Sequence, residues 1–270
     1  MAKSRFEYVR TYELHDNLLP NTFIVVRVDG RHFHKFSEAH SFAKPNDKRA
    51  LDLMDRAARS VMEEYDDSSF LIRRASNLYK RRRSKINSSV VSIFTSSYVY
   101  HWRTYFPKFE LMFPPSFDSR VVLYPGVKEV RDYFAWRQAD THINNLYNTA
   151  FWAFINSGMT TTEANKSLQG TDSKHKHELL YSRFGTNYND LPEQFRKGSV
   201  LVRMRIEAED AKIGFTASLE TEADTLADPN AVVKSGRRPK AYEGLTGEVV
   251  VSYEDIIGDR FWDVRPWLLC

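Results

Sequence analysis

The sequence is poor in cysteine: Cys270, the last of 270 residues, is the only one. A lone thiol excludes both an internal disulfide and a cysteine-ligated zinc. Long apolar runs are also lacking, and none approaches the roughly 20 residues that a membrane-spanning helix needs. The opening MAKSRFEYVR has no apolar stretch of the kind that marks a secretion signal. These absences place the chain in the cytosol or the nucleus. Net charge is small, at +4, but the positive charge is uneven. Arg73, Arg74, Lys80, Arg81, Arg82, Arg83 and Lys85 fall in one stretch without a single acid, a local patch suited to a polyanion partner. What is plentiful is apolar: 42% hydrophobic and 14% aromatic residues can bury one sizeable core or two small ones.

The chain alternates elements without an internal repeat. Residues 22 to 28 read as a buried strand, and Lys44 to Asp47 as a turn whose Asn46 or Asp47 caps a helix starting near Lys48. Leu51, Met54, Ala58, Val61, Met62 and Tyr65 fall on one face of that helix. A short β-like stretch, Ser69 to Ile72, precedes a second long helix with Ile86, Val90, Ile93, Phe94 and Ser97 as its buried stripe. Arg120 to Tyr124 is another strand, ended by Pro125 and Gly126. Helices follow at about 127 to 138, 140 to 156 and 161 to 168, and residues 205 to 245 turn polar and irregular before a final element around DIIGDRFW. Strands interleaved with long helices indicate an α/β or α+β sheet domain.

The stretch FIVVRVDGRHFHKF, residues 23 to 36, carries the chemistry. A buried strand delivers Asp29, and Gly30 lets a backbone group approach a ligand. One carboxylate and one carbonyl make half of a site for a hard divalent ion, and Arg31, His32 and His34 beside them suit a triphosphate. A plain turn with solvated bases fits the same residues. Lys44 and Asp47 frame a helix N-terminus, which favours anions but equally describes a simple cap. Arg82 and Lys85 share a helix face, and Arg120 is placed to enter the same cleft. In DTHINNLYNTAFWAFI, His142, Asn145 and Asn148 recur at helical spacing. Asn is a poor helix former, so these residues are either satisfied buried amides or contacts to RNA.

Together these residues resemble the tRNA-histidine guanylyltransferases, in the eukaryotic form of that family. MAKSRFEYVR, VRVDGRHFHKF, FAKPND, DYFAWRQADTHINNLYNTAFW and IIGDRFWD carry the resemblance, over nearly the whole chain. It implies an α+β fold: a palm-like polymerase sheet with flanking helices, followed by an irregular C-terminal region. The catalytic domain would span residues 1–135, and a helical, tRNA-facing region residues 136–270. It implies addition of a guanosine to the 5′ end of histidine tRNA after ATP-dependent activation of the 5′-phosphate, with GTP and ATP as substrates, two Mg²⁺ ions and a homotetramer. Asp29 would be catalytic, and Asp29 and the Gly30 carbonyl metal ligands. Asp29, Gly30, Arg31, His32, Phe33 and His34 would form a nucleotide loop, with Lys44, Asp47, Arg82, Lys85 and Arg120 as triphosphate contacts. His142, Asn145, Asn148 and Lys197 would face the RNA.

One segment departs from the pattern. Only Asp66, Asp67 and Ser68 stand between the helix ending near Tyr65 and the strand beginning at Ser69, where the family has a further strand and a turn carrying Ser-Asp-Glu. The expectation is therefore a vacancy in the middle of the sheet, and at best one distant acidic neighbour for Asp29. A mis-assembled reading frame or a segment lost from the sequence explains this better than a genuine deletion. The runner-up reading is a catalytically impaired relative that still binds RNA.

Overall fold

The computed structural model of the chain describes residues 4–65, 70–204 and 247–270. Its first half is built on a three-stranded antiparallel sheet. β1 (Phe23–Arg31) lies in the middle, with β2 (Leu71–Ile72) on one side and β3 (Ser116–Tyr124) on the other. Strand alternation sends Ile24, Val26 and Val28 of β1 and Phe117, Val121 and Leu123 of β3 to one face. There they pack on two long helices, α2 (Lys48–Glu64) and α3 (Arg83–Tyr105), which contribute Leu53, Ala57, Val61, Ile86, Val90 and Phe94 to a common core.

Val61, Met62 and Tyr65 of the expected stripe of α2 are buried, and only its first half sits one position away. Ala50, Leu53 and Ala57 are buried, while Leu51, Met54 and Ala58 lie at its edge. Asp47 caps α2, accepting a hydrogen bond from the Arg49 amide at 3.0 Å. Between β1 and α2 the chain makes the short helix α1 (Phe33–Ala39), whose Phe36 is buried beside His40. His40 is a fully bonded core residue: Nδ1 donates to the Phe36 carbonyl at 2.7 Å and Nε2 accepts from the Met112 amide at 3.0 Å.

The expectation of a vacancy in the middle of the sheet is not met. Ile24 pairs directly with Ile72 on one side and Leu123 on the other, and the Val26 amide donates to the Phe70 carbonyl at 2.9 Å. Helix α2 carries the chain back so that residue 70 onward arrives beside β1 with no strand between them. Residues 66–69, which hold Asp66, Asp67 and the start of the expected strand, lie outside the described residues, as does the irregular region 205–246.

The second half begins with α4 (Val127–Asn156), one unbroken helix where the sequence suggests two. The apparent break at Gln138 to Asp140 is a point of attachment. The buried Gln138 side chain donates to the Lys197 and Glu254 carbonyls, at 3.2 and 2.9 Å, and accepts from the Ile256 amide at 2.9 Å. Arg137 and Asp140 form an ion pair one turn apart at 3.2 Å. Around α4 pack α5 (Thr161–Leu168), α6 (Ser173–Phe184) and α7 (Glu193–Lys197), with a core of Leu146, Ala150, Phe154, Ala164 and Leu180. A two-stranded sheet of β4 (Val200–Met204) and β5 (Glu248–Ser252), with α8 (Asp259–Asp263), closes a third small core around Trp262. Among the described residues no helix is long and apolar enough to cross a membrane.

Candidate active site

The strand that looks fully buried ends in charge because only its first half is covered on both faces. Phe23 and Val25 are buried with Tyr124 and Val122 opposite them, and the Tyr124 ring meets Tyr133 of α4 at 5.5 Å. Further along the same face Arg27 stands opposite Arg120 and Asp29 opposite Asp118. Residues directly across an antiparallel ladder share a face, with Cβ atoms about 4.5–5.5 Å apart. The open part of the sheet therefore carries a pair of arginines and a pair of carboxylates, one step apart. Asp29 accepts one hydrogen bond from Arg27 at 3.1 Å, and its side chain is 53% exposed.

Gly30 follows, opposite Phe117, and its lack of a side chain has a geometric cause. A Cβ there would meet Cδ2 of Phe33 at 2.5 Å and Cγ at 2.9 Å. His32 turns the chain, with a left-handed φ of 54°, straight from strand into α1. A cavity of about 310 Å³ opens at this reversal, lined by Val28, Asp29, Gly30, Phe33, Met54, Phe94 and Phe117. Its aromatic walls suit a flat apolar group.

Other candidate residues gather here in part. Lys44 donates to Ser37 of α1 at 3.2 Å and lies 6.0 Å above the Trp152 ring of α4. Asn46 donates to the Asn145 side chain at 2.9 Å, and Asn145 in turn donates to the Tyr188 hydroxyl at 2.9 Å. The turn at 44–47 and the 142–148 segment are thus joined. Asn145 is a satisfied buried amide, whereas Asn148 is exposed on the same helix. His142 packs between His177 and Tyr188. Burial, then the charges of His177 and Arg196, hold its imidazole below the ordinary value, so it is neutral at pH 7. Lys197 forms an ion pair with Glu193 at 2.7 Å. Asp47 is not free: its oxygens accept from Ala43 and Arg49. Burial raises its carboxyl, and these bonds and the Arg49 charge outweigh that and bring it below the usual carboxylate value.

Arg82 and Lys85 are not brought to Asp29. Tyr79, Lys80 and Arg81 take three successive left-handed conformations, with φ of 50°, 56° and 58°. This turn buries Arg81, which donates to the Leu19 and Thr22 carbonyls at 2.7 and 2.9 Å. Arg82 pairs with Glu13 at 3.3 Å and Asp16 at 3.8 Å, and Lys85 lies 5.1 Å above the Tyr79 ring. Arg81 thus anchors the basic stretch where β1 begins, and the seven steps along the strand from Thr22 to Asp29 span about 23 Å.

The expectation of only a distant acidic neighbour is overturned by Asp118, directly across the ladder from Asp29. Reading the strand from Arg120 leaves Asp118 outside it. Its period-2 signal is nonetheless present, because Asp118 and Arg120 alternate with Phe117, Ser119 and Val121 as Arg27 and Asp29 alternate with Val26 and Val28.

Comparison with known proteins shows the family. A family model described as tRNAHis guanylyltransferase matches residues 6–125, and the model of that family's C-terminal domain matches residues 128–258. The chain belongs to the tRNAHis guanylyltransferase family. The tRNA(His) guanylyltransferase of Schizosaccharomyces pombe is 52% identical over 279 aligned positions, covering 99% of this chain and 98% of that protein. Those 279 positions exceed the 270 residues of this chain by nine, so the relative carries at least that many residues with no counterpart here. The crystal structure of the Saccharomyces cerevisiae enzyme superposes with a TM-score of 0.70 at 41% identity, over 77% of this chain and 100% of that one. A bacterial guanylyltransferase-like protein in complex with ATP gives a TM-score of 0.58 at 25% identity, over 71% of this chain and 83% of that one. The family's palm-like polymerase fold is therefore the fold of this chain.

Proposed function

We propose that this chain adds a guanosine to the 5′ end of histidine tRNA, using ATP to activate the 5′-phosphate and GTP as the nucleotide added. The observation that carries the reading is a family match over nearly the full length, together with a strand-to-helix reversal that sets the Asp29 side chain on the open face of the sheet with the Gly30 backbone next to it.

The donor chemistry fits Mg²⁺: a carboxylate and a backbone carbonyl are the hard oxygens that this ion prefers, and phosphate oxygens or water complete its shell. Among the described residues no cluster of three or more His, Cys, Asp or Glu exists, so such outside donors are needed. When bound, the ion supplies charge neutralisation and polarisation of the reacting phosphoryl group. Asp29 and the Gly30 carbonyl would hold it. Arg27 and Arg120 would bind phosphate oxygens on the same face. Arg31, His32, Phe33, His34 and Lys44 surround the nucleotide, with Phe33 offering its ring to a base or ribose. Asp47 positions this loop as a helix cap. His142, Asn148 and Lys197 are offered to RNA, and Asn145 positions their helix. Assembly as a homotetramer and residence in the cytosol or nucleus belong to the same reading.

The test is Mg²⁺-dependent transfer of label from GTP to the 5′ end of a histidine tRNA transcript, with a phenylalanine tRNA as control. Label on the histidine tRNA alone is expected. Asp29→Ala should abolish it while filter binding of the tRNA persists, because RNA affinity comes from basic contacts elsewhere. Binding without any transfer by the natural chain would favour the impaired, RNA-binding alternative.

A further inference from the structure

We propose that Asp118 supplies the second carboxylate of the divalent-cation site, across the β1–β3 ladder from Asp29. The inference rests on the reading given under Proposed function and adds a ligand to its metal site. The family resemblance puts a second acid on a turn in the interval between Tyr65 and Phe70, where Asp66 and Asp67 lie outside the described residues; Asp118 is the acid that the sheet itself brings to Asp29.

Asp118 has the required position. It is the register partner of Asp29 and shares its sheet face, two residues from Arg120 as Asp29 is from Arg27. Like charges directly opposite each other destabilise a sheet unless a counter-ion lies between them. Asp29 has one partial counter-ion in Arg27 at 3.1 Å, and Asp118 makes no ion pair or side-chain hydrogen bond among the described residues. A hard cation between the two carboxylates removes this repulsion with the oxygen donors it prefers.

An independent feature points to the same ligand class. The neighbouring pair on this face, Arg27 and Arg120, is also like-charged and directly opposed, about 7 Å along the strands from the carboxylates. Two opposed guanidinium groups are stabilised by a shared anion, most effectively one with several phosphate oxygens. An acid pair beside an arginine pair matches the charge order of a divalent cation bound to a nucleoside triphosphate. Arg27 is tied to Asp29 at 3.1 Å and its charge reaches the Tyr133 hydroxyl, so of these four charges Arg120 and Asp118 are the two without an ion pair among the described residues.

The experiment titrates Mn²⁺ alone into the purified full chain and follows the signal of free Mn²⁺ by electron paramagnetic resonance. The natural protein is compared with Asp29→Asn, Asp118→Asn, Asp118→Glu and the double asparagine variant. Each single asparagine variant should weaken binding by about tenfold or more, and the double variant should lose little beyond that, because both residues serve one ion. Asp118→Glu should retain part of the affinity. A metal-free melting point for Asp118→Asn at or above that of the natural chain is expected, since one repulsion is gone, and it also establishes that the variant folds. Natural affinity in Asp118→Asn together with loss in Asp29→Asn would overturn the role of Asp118. Natural affinity in both would remove the whole site from this face. The assignment of guanosine transfer stands or falls separately, on the tRNA labelling.

Discussion

Replacing Gly30 by alanine tests the strand-to-helix reversal at its tightest point. The added Cβ would lie 2.5 Å from Cδ2, 2.9 Å from Cγ and 3.2 Å from Cβ of Phe33. Carbon atoms in good contact stand about 3.5–4.0 Å apart, so the ring must retreat by about 1 Å. It is held by Phe36, Phe117 and Tyr98, with centroids at 4.9, 5.4 and 6.1 Å. The free space is the 310 Å³ cavity at Asp29, and moving the ring there closes the opening offered to a nucleotide. Overpacking of this kind costs about 1–3 kcal/mol. Equilibrium urea unfolding of Gly30→Ala should show a loss in that range, together with weaker GTP binding. In a Phe33→Ala background the same substitution should cost less than about 1 kcal/mol, giving a double-mutant coupling of about 0.5–3 kcal/mol. A cycle that is additive within error, or a Gly30→Ala protein as stable as the natural one, would refute the argument.

Arg81→Met should destabilise the fold by at least about 3 kcal/mol in urea unfolding, because the Leu19, Thr22 and Ser76 acceptors lose a buried charged donor. Lys85→Ala, by contrast, should leave stability and the KM for GTP unchanged and reduce the salt slope of tRNA binding by about 0.7–0.9 if it meets one phosphate. Asp55→Asn should stabilise the protein at pH 7. Burial, then the charge of Asp52, pushes this carboxyl above its ordinary value of 3.8, against the bonds from Ser199 and Gln194. A raised folded value means that charging Asp55 costs stability as pH rises above 3.8, so the advantage of the variant should vanish as pH falls back through that value. Persistence of the advantage well below that pH would show that it does not come from the charge.

Strand β1, the cap at Asp47 and the stripe of α3 are legible in the sequence because each rests on local pattern alone. The unbroken course of α4 is not: Gln138 and Asp140 read as a gap, and what explains Gln138 is a pair of carbonyls 59 and 116 residues away in the chain, while Asp140 pairs with Arg137 on the same helix. Asn145 was ambiguous for the same reason, and its bonds to Asn46 and Tyr188 decide for the buried amide. Asp118 escaped because the continuous apolar run that identifies β3 begins only after Arg120, while the alternation that extends the strand back to Ser116 is carried by short and polar residues. The position of Arg82 depended on three left-handed residues that lack glycine, a conformation that no propensity signals.

The continuity of α4 also makes it a ruler. With 30 residues at 1.5 Å each it is about 45 Å long, and its first turns lie against the sheet while His142 and Asn148 ride further along the same rod. The span from the carboxylate pair to any RNA held at those residues is then set by a count of residues and by helical phase. One alanine inserted after Ala139 would shift everything beyond it by 1.5 Å and turn it by about 100°, carrying Asn148 out of line with the cleft. Four alanines would nearly restore the facing while adding about 6 Å. If the helix measures the tRNA, the four-residue insertion should misplace the 5′ end of a natural tRNA but recover label transfer to one whose acceptor arm is longer by two base pairs.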